Sequence, residues 1–213
     1  MKTRERILHT SLELFNAEGE PNVTTVDIAN EMDISPGNLY YHFKGKEDII
    51  GALYQRFHDD LTGILDAPIA NLLKPEDAWF YLYIVFEEIF KQRYFYRNLN
   101  DILQRYPGID RKFRRLLERK KDACTAIAIA LLDKGILEMD KAQLERLSEL
   151  VTMHVTFWMN YEKLRSRSSN DQLLIHQGVF QVMSLVAPYL TPAYRSFFDE
   201  SCELYDSLTT GLV

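Results

Sequence analysis

The sequence predicts an all-α protein. Apolar residues recur at helical spacing along most of the 213 residues, alternating strand-like patterns are few, and no Asn-Gly or Asp-Gly pair marks a hairpin turn. Proline, glycine and serine interrupt the apolar patterns at intervals that suit helix ends. We therefore expect a chain of helices joined by short turns.

Two helix patterns come first. The first covers about residues 2–18, with its apolar residues on one face and Gly19 as a natural stop. The second begins after Thr24 or Thr25, since either residue can cap a helix, and it runs to about Met32. We expect both helices to bury one side in a common core.

The third helix pattern is brief and follows a link of only two residues. Ser35 caps it, and Pro36 takes the first helical position, where its missing N–H costs nothing. Leu39 and Phe43 lie four residues apart and share one side of the helix, so they anchor it to the core. Helix, short turn and helix together predict a helix-turn-helix unit.

The remaining side chains of the third helix face outward. They are Gly37, Asn38 and Tyr41, with Tyr40 and His42 at the flanks. Exposing two tyrosine rings to water on so short a helix is unfavourable unless the rings bind a partner. Tyrosine and histidine can contact phosphates and sugars in a DNA groove. A recognition helix is favoured over the alternative, in which Tyr40 and Tyr41 pack under another helix as core aromatics.

Net charge opposes this interpretation. The formal charge is -6, and residues 1–50 hold five basic against nine acidic side chains, although phosphate binding draws much of its affinity from lysine and arginine. Any DNA-binding face must therefore be local. Helix N-termini and neutral hydroxyl donors can supply part of the phosphate contact without formal charge.

The segments TTVDIA and SPGNLYYHFKGKEDI, at fixed spacing within residues 4–55, resemble the N-terminal region of TetR-type bacterial transcriptional regulators. The resemblance implies a homodimer in which each third helix enters the major groove of one half of a palindromic operator, usually for repression. It also implies a helix-turn-helix DNA-binding domain at 1–48. A linking helix at 46–66 would then lead into a ligand-binding and dimerisation domain at 49–213.

Carried over by position, the resemblance implies roles for eight residues. Phosphate or backbone contacts fall to Thr25, Tyr40, His42 and Lys46. Base-edge positions fall to Pro36, Gly37, Asn38 and Tyr41. Asn38 offers both a donor and an acceptor, so it is our candidate for base recognition. The first helix is less basic than in many members, so we expect DNA binding to be weak or strongly salt-sensitive.

Helical patterns continue to the end of the chain. A fourth helix runs from about Lys46 to near Pro68. Further helices are expected at about 75–92, 98–105, 109–134, 140–166, 170–189 and 193–209. The apolar-rich helices at 140–189 are our candidates for the homodimer interface, as a bundle of two helices from each subunit. Glu87, Glu88 and the basic run at 111–121 read as solvated helix faces.

Two aromatic stripes suggest a pocket for a small-molecule ligand. One comprises Trp79, Tyr83, Phe86 and Phe90, and the other Leu147, Val151, His154, Trp158 and Tyr161. Ligand pockets are lined by aromatics with a few polar groups, so the ligand pocket is predicted at Trp79, Tyr83, Phe86, Phe90, His154, Trp158 and Tyr161, for an apolar or aromatic ligand. The alternative is that both stripes are ordinary core.

Other classes of protein find little support. The sequence has no phosphate-binding loop, no nucleophile motif and no His/Cys spacing typical of metal sites, so neither an enzyme, a cofactor nor a metal is expected. No apolar run is long enough to span a bilayer, and two distant cysteines suit a reducing compartment, so we expect a cytoplasmic protein without a membrane partner. Two rivals stay open: an inducer-independent activator or DNA-organising regulator, and a helical small-molecule or lipid-binding protein without a DNA function.

Overall fold

The computed structural model describes residues 2–67, 74–165 and 171–210. Within these residues the chain forms eleven α-helices and no β-strand, apart from one isolated antiparallel bridge between Leu137 and Leu190. The prediction of an all-α fold is confirmed. In the same part of the chain, no helix combines the length and apolar character that crossing a bilayer requires.

The predicted helices occur in the expected order, with one additional helix between them. The first six are α1 (Thr3–Glu18), α2 (Thr25–Glu31), α3 (Pro36–His42), α4 (Lys46–Leu65), α5 (Pro75–Lys91) and α6 (Arg93–Arg97). The last five are α7 (Leu99–Arg105), α8 (Pro107–Asp133), α9 (Lys141–Arg165), α10 (Asp171–Val186) and α11 (Arg195–Thr210). Single 3-10 turns occupy Glu20–Asn22, Ala187–Tyr189 and Pro192–Tyr194. The predicted end of the fourth helix near Pro68 lies outside the described residues.

The sequence pattern does not predict α6, and α8 begins at Pro107, two residues earlier than expected. Backbone angles at Gln92 and Asn98 leave the helical region, which isolates the five residues of α6 between them. Pro107 does not separate two helices, as the sequence suggests. It takes the first position of α8, where its missing N–H removes no helical hydrogen bond. The first difference comes from helix ends that the apolar pattern does not mark, and the second from a proline that begins a helix.

Packing divides the chain into two compact units. The first comprises residues 1–61 and 91–115, and the second comprises residues 62–90 and 116–213. In the first unit, the buried Phe95 ring lies 6.3 Å from Phe57 and 5.5 Å from Phe113, centroid to centroid. This aromatic cluster gives the helix-turn-helix part of the chain a core shared with α4, α6 and α8.

A buried ion-pair network also connects three elements of the first unit. The side chain of Glu20 is fully buried, and its carboxylate lies 3.0 Å from Lys46 Nζ and 2.5 Å from Arg105 Nη2. A buried carboxylate is tolerated when cations satisfy both of its oxygens. Glu20 therefore joins the 3-10 turn after α1 to the start of α4 and to the end of α7.

The second unit places α5 very close to α10. A methyl group built at Gly178 would lie 2.3 Å from Cε1 of Phe86 and 3.1 Å from Cε3 of Trp158. Phe86 and Trp158 are themselves buried, with ring centroids 5.1 Å apart. Only glycine leaves room for this close approach.

Candidate functional site

Local hydrogen bonds fix the turn between α2 and α3. Thr24 caps α2 with a capping box, in which the Thr24 amide donates to the Asp27 carboxylate at 2.8 Å. Asp33 takes a left-handed conformation with φ 52°, and the Ile34 amide donates to the Ala29 carbonyl at 3.0 Å. The chain thus leaves α2 and enters α3 within four residues.

Two buried side chains hold α3 in place. Leu39 is fully buried and Phe43 is nearly so, while the Arg4 guanidinium lies 4.7 Å above the Phe43 ring. The Ser35 hydroxyl accepts a hydrogen bond from the Asn38 amide at 3.2 Å, which confirms Ser35 as the cap. The short helix therefore has one anchored side and one free side.

The free side of α3 is a continuous exposed surface, which we call the α3 face. It comprises Pro36, Gly37, Asn38, Tyr40 and Tyr41, with His42 partly buried beside it. Tyr41 is 86% exposed and Tyr40 is 49% exposed. Neither tyrosine is a core residue, so the alternative raised from the sequence is wrong.

The residues expected to contact phosphate have different surroundings in the structure. The Thr25 and Tyr40 hydroxyls lie 3.2 Å apart, so these two groups sit together beside the α3 face. Lys46 instead directs its ammonium to Glu20, donating also to the Glu20 carbonyl at 2.5 Å, and 24% of its side chain is exposed. Lys44, for which the sequence predicts no role, is exposed just after α3.

A cavity of about 100 Å³ lies inside the second unit. Its walls come mainly from α5, α8, α9 and α10, with Leu65 at the end of α4 also contributing. They are almost entirely aliphatic, with Leu82, Val85, Ile127, Val155 and Val182 among them. The polar groups among the described lining residues are Tyr81, Lys120, Cys124 and Thr152.

None of the seven predicted pocket residues lines this cavity. Phe86 and Phe90 are buried in packing, Trp79 lies against Phe197, and Tyr83 lies against His176. His154, Trp158 and Tyr161 line a separate open groove between α9 and α10. Large rings fill the space between helices that approach closely, whereas the cavity occurs where smaller aliphatic side chains meet.

Two residues that the sequence places on solvated helix faces are buried in the structure. Lys120, in the basic run, is 5% exposed, and Glu88 is 8% exposed. Lys120 follows the fully buried Leu116 by one helical turn, so it lies on the inward side of α8. Burial lowers the pKa of Lys120 to about 7 and raises the pKa of Cys124 to about 11 and that of Tyr81 to about 12.

Within the described residues, no group of three or more histidine, cysteine or acidic side chains is placed to hold a metal ion.

The chain matches two family models that together span most of its length. Residues 7–57 match the N-terminal model of bacterial regulatory proteins of the TetR family, and residues 56–198 match a model described as a bacterial transcriptional repressor of the TetR type. The chain belongs to the TetR family. It is therefore a DNA-binding transcriptional regulator rather than an enzyme.

Similar proteins agree with this assignment. The crystal structure of a TetR-family transcriptional regulator from Marinobacter aquaeolei VT8 has a TM-score of 0.87 and 38% identity, covering 96% of this chain and 99% of that one. The uncharacterized regulator TtgW of Pseudomonas putida is 38% identical over 52 residues, 24% of this chain and 39% of TtgW. The probable regulator YttP of Bacillus subtilis is 24% identical over 110 residues, 52% of this chain and 53% of YttP. The matched segments thus span about half or less of these two regulators.

Proposed function

We propose that this TetR-family regulator is a ligand-released repressor that binds a palindromic operator as a homodimer. Residues 1–48 would form the DNA-binding domain, and residues 49–213 would bind ligand and dimerise. The observation that carries the proposal is the α3 face, because a helix held by Leu39 and Phe43 presents Tyr41 to solvent at 86% exposure. Such a helix can enter a major groove without unfolding any core.

The chemistry of the α3 face suits both phosphate and base contacts. Asn38 carries a donor and an acceptor, as bidentate recognition of an adenine edge requires. Gly37 has no side chain to keep the backbone away from a base or phosphate. Thr25 and Tyr40 supply paired neutral hydroxyls at the edge of the face, where phosphate contacts set the register of a protein on DNA.

An exposed apolar stripe on α9 supports the homodimer. Its members are Leu150, Met153, Phe157, Tyr161 and Leu164, each between 44% and 88% exposed. They recur at helical spacing on one side of α9, beside the open groove of about 660 Å³ that Ser184 and Leu185 of α10 also line. A stripe of this kind marks an interface, and α9 and α10 of a second copy would bury it in a four-helix bundle.

The cavity in the second unit supports regulation by a small molecule. A ligand that binds one arrangement of the dimer several kcal/mol better than the other shifts the population between them. In the released arrangement, the two α3 helices would no longer match successive major grooves, which lie about 34 Å apart.

A gel shift with DNA flanking the protein's own gene tests this function. Wild-type protein should retard that DNA more strongly than scrambled DNA of equal length, whereas Asn38→Ala and Tyr41→Ala should lose most of the difference. Extract of the source cells should then release the wild-type complex. Retardation that is equal on both DNAs would contradict operator binding, and a complex that extract never releases would favour an inducer-independent regulator.

A further inference from the structure

Lys46, which is expected to contact phosphate, is held by the protein through only part of its ammonium group. An ammonium carries three hydrogen-bond donors. The Lys46 Nζ lies 3.0 Å from Glu20 Oε1 and donates to the Glu20 carbonyl at 2.5 Å, so Glu20 takes two of the three. The Lys46 side chain keeps 24% of its exposure. One N–H therefore remains for an acceptor outside the protein.

Arg105, at the end of α7, bonds both oxygens of the same carboxylate. Its Nη2 lies 2.5 Å from Glu20 Oε2, and its Nη1 donates to Glu20 Oε1 at 3.3 Å. The guanidinium is itself held in place, because its Nε donates to the Asp101 carbonyl at 3.4 Å and its Cζ lies 5.5 Å from the centroid of the Tyr106 ring. A bidentate pair of this kind fixes orientation as well as distance. Arg105 therefore holds the Glu20 carboxylate in one orientation.

The formal charges of the three side chains do not cancel. Glu20 is fully buried and carries one negative charge between the two cations Lys46 and Arg105, which leaves one positive charge in excess. Without Arg105, the carboxylate and the Lys46 ammonium would neutralise each other. The ammonium would also be drawn towards both carboxylate oxygens, because a buried carboxylate is costly when its oxygens lack partners.

We propose that Arg105 is a positioning residue for DNA binding: by holding the Glu20 carboxylate, it leaves the charge and one N–H of Lys46 available to a DNA phosphate. Arg105 thus acts through Lys46. The three residues belong to the same compact unit as the α3 face. The inference rests on the proposed function, since it concerns a phosphate contact of the proposed DNA-binding domain.

A double-mutant cycle tests the inference, with gel-shift titrations on DNA flanking the protein's own gene at several salt concentrations. Lys46→Met should weaken binding at least about tenfold, as expected for a lost hydrogen bond to a charged group, and should lower the salt slope by about one. Arg105→Met should cause a similar loss of affinity and of slope. In the Lys46→Met background, however, Arg105→Met should cause little further loss, because the residue through which it acts is already absent.

Two further variants separate positioning from charge and from folding. Arg114→Met removes an arginine of the same unit that pairs with Asp110, and it should leave affinity and salt slope unchanged. Arg105→Lys keeps a cation beside Glu20 but loses the bidentate geometry, so it should recover part of the affinity that Arg105→Met loses. Thermal unfolding checks that each variant is folded. If Arg105→Met is not, the same cycle is measured with Arg105→Lys.

Two results would overturn the inference. One is a loss of affinity from the Arg105 substitution that is equal with and without Lys46, and the other is an unchanged salt slope in Arg105→Met. Either result leaves operator binding by the wild type intact, so the proposed function would stand. A wild type that binds this DNA no better than scrambled DNA would contradict the proposed function, and the inference with it.

Discussion

The hydroxyl oxygens of Thr25 and Tyr40 lie 3.2 Å apart, one on α2 and the other on α3. The pair links the two helices at the edge of the exposed α3 face and places two neutral donors side by side. In a chain with a formal charge of -6, such donors can contact phosphate where few cations are available. If the α3 face binds DNA as proposed, it would do so by hydrogen bonding as well as by charge.

Tyr40→Phe removes one hydroxyl of this pair and is expected to weaken DNA binding. The loss should be about 3- to 10-fold, the value of one hydrogen bond of roughly 1 kcal/mol, and it should be similar on operator and non-operator DNA because phosphate contacts carry no sequence information. Gel-shift titrations on both DNAs measure it. Tyr194→Phe, in the second unit, serves as the control and should bind normally.

Asn38→Ala is expected to change specificity as well as affinity. Losing a side chain that pairs with a base edge should cost about 1–3 kcal/mol on the operator and relax the preference at one base pair of each half-site. Competition gel shifts with single-base operator variants would reveal this. A uniform loss across all variants would show that Asn38 contacts only the backbone.

Gly178→Ala is expected to destabilise the second unit. The added methyl group would lie 2.3 Å from Phe86 Cε1, against a ring that Trp158 also confines, so the packing must shift at a cost of about 1–3 kcal/mol. Urea unfolding measures the change. Gly51→Ala is the matched control, since nothing lies within 4 Å of its added methyl group and α4 should gain up to ~1 kcal/mol. Equal stability of the two variants would refute the close-packing argument.

The buried Lys120 should make stability depend on pH. Its pKa is about 7 in the folded protein and ordinarily 10.5, so between these values the unfolded chain binds more protons and the free energy of unfolding rises with pH. The slope approaches about 1.4 kcal/mol per pH unit. Lys120→Met should therefore exceed the wild type in stability most at pH 6–7 and progressively less towards pH 9.

Urea unfolding of both proteins at each pH isolates this effect. The difference between them cancels the titration of Cys124 and Tyr81, whose pKa values are raised to about 11 and about 12. A difference that stays constant across this range would mean that the Lys120 ammonium keeps its ordinary pKa.

Phe157→Glu is expected to dissociate the dimer. Phe157 lies in the middle of the apolar stripe on α9 and is 45% exposed in the single chain, so a carboxylate there would be buried without a partner in the interface. Sedimentation analysis should show a monomer that retains its helical content. Phe80→Glu places the same charge at a more exposed phenylalanine on α5 and should remain dimeric. A dimeric Phe157→Glu would exclude this stripe as the interface.

The sequence predicted the helix-turn-helix well and the cavity poorly, for physical reasons. The helix-turn-helix depends on contacts between residues close in sequence, such as the caps at Thr24 and Ser35 and the anchor at Leu39. A short stretch of sequence is therefore enough to predict it. The cavity is assembled from several helices, and no local pattern shows where small side chains from different helices will meet. The charged neighbours of Lys120 suggested a solvated position. Its spacing of four residues from the buried Leu116 instead places it on the inward side of α8.

Footprinting on the DNA flanking the protein's own gene tests the central claim, that the α3 face binds DNA as half of a symmetric pair. The wild type should protect two half-sites on one face of the duplex, with centres one helical turn or a multiple of it apart, about 34 Å for one turn. The Tyr41→Ala and Asn38→Ala variants should lose both half-sites together. A single protected site, or unchanged protection by these variants, would contradict the claim.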